Sequence, residues 1–116
     1  MLASPPIGHN SRASRAMYAI AFDLDTDTLR KTYHAEHANN AYADIRRELA
    51  KYGFRNMQGS VYFGDETVDA VTCVRAVQKI TRKYSWFGVS VRDIRMLRIE
   101  DNNDLMPAIQ DMISET

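Results

Sequence analysis

Two aspartates stand inside segments that alternate like β-strands. The first segment is Met17-Tyr-Ala-Ile-Ala-Phe-Asp-Leu24 and the second is Val91-Arg-Asp-Ile-Arg-Met-Leu-Arg-Ile-Glu-Asp101. A strand sends successive side chains to opposite faces. Tyr18, Ile20, Phe22 and Leu24 therefore share one face, with Met17, Ala19, Ala21 and Asp23 on the other. In the second segment Val91, Asp93, Arg95, Leu97 and Ile99 line up. A carboxylate on an open sheet surface can take a proton from a hydroxyl nucleophile, or hold Mg²⁺, which activates water. Arg95 shares the face of Asp93, and a guanidinium grips a phosphate through two parallel bonds. A fold that joins Asp23 to Asp93 thus builds an acidic site.

Each of these residues also has a plainer reading. Asp23 opens an Asp23-x-Asp25-x-Asp27 run, the composition of a turn or helix cap. If the strand continues, Asp25 shares the face of Asp23 and becomes a second ligand. Asp93 can serve a cross-strand ion pair. Ser60 can bond a phosphate oxygen or simply close a turn. Arg46 and Arg47 can meet backbone phosphates or line a solvated helix face. Tyr62 and Phe87 offer rings on which bases could stack, whereas Tyr18 and Trp86 read as core. His34 and His37 lie three apart but have no convincing third metal ligand. Cys73, the single cysteine, falls in an apolar helical pattern and reads as a buried small hydrophobe. No Gly-rich phosphate loop and no Ser/His/Asp triad stands out.

The elements that must position these residues follow from periodicity. Residues 1–16 lack a pattern and hold two of the three prolines. We read them as a disordered N-terminal extension, with Met17 fitting a translation start. Strand 17–24 leads to a helix at about 26–33 and a stronger one at about 37–52. The latter is carried by Ala38, Ala41/Tyr42, Ile45, Leu49 and Tyr52, with Arg46, Arg47 and Glu48 off the stripe. Gly53 is a natural stop. Short strands are expected at 54–58 and 60–64, broken at Gly59. Thr67 is placed as the cap of a helix with a Val68, Val71, Val74, Val77/Gln78, Thr81 and Tyr84 stripe. Ser85-Trp-Phe-Gly88 reads as a connector, and the last strand follows. Residues 102–116 form an acidic segment, with a short helix through Leu105, Ile109 and Met112/Ile113 begun at Asp104. The order strand, helix, strand, strand, helix, strand points to an α+β, ferredoxin-like βαββαβ domain over 17–101. Its antiparallel sheet carries helices on one face. The other face is left open, with Leu and Ile on it, and pairing with a second copy would cover it.

Composition narrows the partners. The 116 residues carry 15 basic and 15 acidic side chains, so no global field draws nucleic acid. Residues 101–116 hold four acids and no Lys or Arg. Any RNA contact must then be local, through a few arginines. No apolar stretch approaches a membrane span, so no membrane partner is expected. One cysteine fits a reducing cytoplasm.

Several separated motifs, in order, resemble virulence-associated protein D (VapD). They are Met17–Leu24, Ala41-Tyr-Ala-Asp-Ile-Arg-Arg-Glu-Leu49, Gly53-Phe54, Gln58-Gly-Ser-Val-Tyr62, Trp86-Phe87 and Ser90-Val-Arg-Asp-Ile-Arg95. The likeness runs from Met17 to about Asp101. It implies a homodimer related in fold to the small CRISPR-associated adaptation nucleases. It also implies endoribonuclease activity and, in several members, the toxin role of a toxin–antitoxin pair. The resemblance carries the family's site acid onto Asp23, its motif serine onto Ser60 and its second aspartate onto Asp93. With it, the expected site is Asp23, Asp93 and Ser60, with Arg95, Arg46 and Tyr62 meeting substrate. Mg²⁺ is an open cofactor reading at Asp23. A noncatalytic module binding nucleic acid or an antitoxin protein is the rival.

Overall fold

A computed structural model describes residues 16–33 and 38–115. The extension expected over 1–16 lies outside them except for Ala16, as do His34 and His37. The elements are β1 (Met17–Leu24), α1 (Thr26–Thr32), α2 (Ala38–Lys51), β2 (Phe54–Gln58), β3 (Val61–Gly64), α3 (Ala70–Lys83), α4 (Ser85–Ser90), β4 (Val91–Ile99) and α5 (Met106–Ser114). The four strands form one sheet in the order β2-β3-β1-β4, every neighbour antiparallel. This is the ferredoxin-like α+β arrangement that the element order predicts.

Alternation in β1 sets the layers. Ile20, Phe22 and Leu24 point into a core shared with Ala41, Ile45 and Leu49 of α2 and Cys73, Ala76 and Ile80 of α3. Phe22 stacks on Tyr62 and meets Phe87 edge-on. The connector expected at 85–88 is the short helix α4, which buries Trp86 and Phe87. Their large apolar surfaces anchor the turn into β4.

Three expectations are corrected. The cap of α3 is Asp69, whose carboxylate accepts from the Thr72 amide and hydroxyl, both at 2.8 Å. Thr67 instead donates twice to Asp65, closing the preceding turn. The buried stripe of α3 is Cys73, Ala76 and Ile80, while Val71 and Val74 are exposed. The run Val68–Val71–Val74 misleads because Val68 precedes the helix and is buried from the loop. Glu48, placed off the stripe of α2, is buried. It accepts hydrogen bonds from Lys83 and, at 3.2 Å, Lys51.

Glycine opens the way at two turns. Gly53 has φ 98° after α2, and a Cβ there would lie 3.0 Å from Asp65 Oδ1. Gly64 lets Val68 approach so closely that a Cβ would sit 2.6 Å from its Cβ.

Candidate active site

The register of β1 on β4 decides the site. Ala19 lies opposite Leu97, Ala21 opposite Arg95 and Asp23 opposite Asp93. Cross-strand partners share a face, with Cα atoms about 5 Å apart. Asp23 and Asp93 therefore stand side by side on the open face, Arg95 one step along it. Both acids are exposed, at 60 % and 48 % of their side chains.

Like charges directly opposite one another are unfavourable, and two arginines offset them. Arg95 donates through Nε to both Asp93 oxygens at 3.1 and 3.2 Å, and its Nη2 lies 3.1 Å from Oδ1. Arg92 Nη1 lies 3.8 Å from Asp23, and its Nη2 lies 3.6 Å from Asp25. Arg92 reaches both because β4 is irregular here. Leu24 pairs with Val91 while Asp23 pairs with Asp93, leaving Arg92 as an extra residue. Such a bulge turns the strand. It also overturns the strict alignment of Val91 with Asp93, since Val91 packs against the core. In the sequence Arg92 is simply the residue before Asp93. Its role needs the bulge, which leaves no mark in alternation.

The plainer readings of the acids separate cleanly. The N-cap of α1 is Asp25, accepting from the Asp27 amide at 3.2 Å and the Thr28 hydroxyl at 2.9 Å. The strand ends at Leu24, so Asp25 does not continue the face of Asp23. The Thr28 hydroxyl bond, then the backbone amides and Arg92, hold its carboxyl below the usual range against some desolvation. Asp23 is thus not the cap. Asp93 pairs with Arg95 along its own strand and faces an acid across it, so the cross-strand ion pair is not formed.

Ser60 ends the β2–β3 turn, and its carbonyl accepts from the Phe22 amide at 3.2 Å. Its backbone is therefore fixed beside β1, one residue from Asp23. Arg46 and Tyr62 lie elsewhere. Tyr62 pairs with Ile20 and is 1 % exposed, its ring covered by Phe22. This corrects the stacking expectation, because no ring face is left for a base. Burial raises the Tyr62 hydroxyl pKa, and the nearby Arg46 guanidinium opposes that rise. Arg46 belongs to α2, in the helix layer behind the sheet. Phe87, Trp86 and Cys73 are core residues. Behind the acids, Ser90 is fully buried, and its hydroxyl has no partner among the described residues. Its carbonyl accepts from the Asp25 amide at 2.7 Å.

Among the described residues no group of three or more His, Cys, Asp or Glu is placed to hold a metal ion. Asp23 and Asp93 supply two hard oxygen donors on one open surface. Mg²⁺ is commonly held by one or two carboxylates, keeping waters and phosphate oxygens as its other ligands. The donor pair fits that ion.

The CRISPR associated protein Cas2 family model matches residues 16–106, the span that carries the sheet and both acids. The chain belongs to the VapD proteins of the Cas2 family. It is 53 % identical over 93 residues to "Endoribonuclease VapD 2" of Riemerella anatipestifer, covering 80 % of this chain and 99 % of the relative. It is likewise 53 % identical over 94 residues to "Endoribonuclease VapD homolog" of Helicobacter pylori, covering 81 % and 97 %. To "Endoribonuclease VapD" of Dichelobacter nodosus it is 43 % identical over 94 residues, covering 81 % and 98 %. The VapD resemblance of the separate motifs is thus a family membership spanning the domain. No helix among the described residues is long and apolar enough to cross a membrane.

Proposed function

We propose that this VapD-type chain is an endoribonuclease acting at the Asp23–Asp93 surface. The observation that carries the reading is the register that sets those two carboxylates opposite each other, flanked by Arg92 and Arg95. The endoribonuclease names of its relatives support it.

Asp23 is exposed, is not consumed as a helix cap, and meets Arg92 only at 3.8 Å. It is the acid able to accept the proton of a ribose 2′-hydroxyl. The 2′-oxygen then bonds to phosphorus, the bond to the 5′-oxygen breaks, and that oxygen takes a proton from water. Arg92 and Arg95 turn from the acids to the phosphate oxygens as charge builds there. Ser60 assists by donating to a phosphate oxygen. Where Mg²⁺ is bound, Asp23 and Asp93 would hold it, and it would supply Lewis-acid stabilisation of the phosphate.

Two copies pair across the open face. Its far end is apolar, with Ala19 flanked by Phe63 and Leu97, and Met17 opposite Ile99. Leu97 is 44 % exposed in the single chain. Work in the cytoplasm as a toxin held by an antitoxin protein accords with the same reading.

The test is cleavage of defined RNA by the purified chain and by Asp23→Asn. Loss of about 10²-fold or more in rate, with fold and assembly kept, is the expected result. Equal cleavage by both proteins, or none by either, would favour the noncatalytic binding module. Product ends marked by 2′,3′-cyclic phosphate support ribose attack. Ends carrying 5′-phosphate, with loss of activity in EDTA, would replace that route by metal-assisted hydrolysis at the same acids.

A further inference from the structure

One guanidinium in this molecule is shared between two carboxylates. Arg92 has Nη1 3.8 Å from Asp23 Oδ2 and Nη2 3.6 Å from Asp25 Oδ1. Both separations exceed an N–H···O hydrogen bond, which runs to about 3.2 Å. Arg92 therefore sits between the two acids and is closed on neither. A guanidinium that swings fully toward one of them leaves the other.

The two acids are held differently. Asp25 is fixed from three directions. Its Oδ1 accepts from the Asp27 amide at 3.2 Å, its Oδ2 accepts from the Thr28 hydroxyl at 2.9 Å, and its own amide donates to the Ser90 carbonyl at 2.7 Å. Ser90 is fully buried and stands two residues before Arg92. The backbone that carries Arg92 is thus tied to the backbone that carries Asp25. Asp23 is the more open acid, with 60 % of its side chain exposed against 39 % for Asp25.

We propose that Asp25 is a positioning residue for RNA cleavage: it holds Arg92 back from Asp23, so that the guanidinium does not close on the base and stays able to turn to the phosphate. Without the Asp25 charge, Arg92 closes on Asp23 in a charge-assisted bond that must break before either partner can act. Asp25 touches neither the substrate nor the reacting atoms in this scheme and works only through Arg92. The inference deepens the endoribonuclease reading above and rests on it.

Asparagine and serine cap helices as well as aspartate does, so Asp25→Asn and Asp25→Ser both remove the charge and keep α1, which circular dichroism checks. The experiment measures kcat and KM for cleavage of a defined RNA by wild type, the two Asp25 variants, Arg92→Ala and the double variant Asp25→Asn/Arg92→Ala. Each Asp25 variant should lower kcat about fivefold or more, with KM unchanged or lower because a negative charge near the phosphate is gone. In the Arg92→Ala background Asp25→Asn should change kcat less than about twofold, because its lever is absent. Equal effects in both backgrounds overturn the proposal, the result if Asp25 is only a cap. An unchanged kcat in the Asp25 variants overturns it as well, the result if the charge merely repels RNA. Asp23→Asn is assayed alongside. If it cleaves as wild type does, or if wild type cleaves nothing, the endoribonuclease reading falls and the proposal falls with it. If Asp23→Asn is inactive while the Asp25 and Arg92 effects simply add, the Asp25 proposal alone falls.

Discussion

Asp23 and Asp93 stand opposite each other on β1 and β4, each with an arginine beside it. The two cations differ in their hold. Arg95 binds Asp93 through close hydrogen bonds, whereas Arg92 spans Asp23 and Asp25 at more than 3.5 Å. Arg92→Ala should therefore disturb the free protein little yet slow cleavage by about tenfold or more, seen as a fall in kcat/KM. Tyr62→Phe should leave cleavage near wild type, since the ring is core. Ser90→Ala should be neutral or stabilising by up to about 1 kcal/mol, because it removes a buried hydroxyl lacking a partner among the described residues. Denaturant melts measure that directly. Glu48 gives the opposite case. Its bond from Lys83 foremost, then that from Lys51, holds its carboxyl below its ordinary 4.5 despite desolvation. A depressed folded pKa contributes stability that is present above the ordinary value and lost as pH falls through the folded one. Glu48→Ala should cost about 2 kcal/mol at neutral pH, less than a fully buried pair because Lys83 is partly exposed. The penalty should shrink in acid melts below pH ~4. At this scale the sequence told which acids to watch, since a charge inside an alternating strand is conspicuous. Glu48 was not legible, because its main partner lies 35 residues away and local periodicity carries no such information.

Strands were easier to read than helix faces. In β1 the alternation of Ile20, Phe22 and Leu24 with smaller or polar residues fixes which side is core. In α3 the valines and the true buried stripe compete, and only packing decides for Cys73, Ala76 and Ile80. Val68 belongs to the loop, held where Gly64 allows it to approach. Gly64→Ala should destabilise by about 1–3 kcal/mol, because a Cβ there meets Val68 at 2.6 Å. Gly53→Ala should cost a similar amount, about 1–3 kcal/mol, from its left-handed backbone and the nearby Asp65 carboxylate. Thermal melts of both variants check this. The caps Asp25 and Asp69 show why cap positions are hard to place. The sequence offers several Asp and Thr candidates within a few residues, and side-chain geometry chooses one.

The topology as a whole was legible from element order, because a strand–helix–strand unit repeated once has few unknotted arrangements. The relative register of β1 and β4 was not. These strands lie at opposite ends of the domain in sequence, and one step of slip would have sent Asp93 to the other face. The resulting sheet surface is graded, acidic around Asp23 and apolar around Ala19. Leu97→Lys should weaken self-association at the apolar end by an order of magnitude or so while sparing the folded monomer, a result sedimentation can read.

Arg92 occupies the single supernumerary step in β4, and that step has a genetic corollary. Excising the Arg92 codon would leave Val91 against Leu24 and Asp93 against Asp23, giving a straight ladder with the same two acids and no cation between them. Replacing Arg92 by alanine keeps the kink and removes the same charge. Any difference between those two proteins in handling RNA would measure what the bend contributes, apart from the charge it delivers.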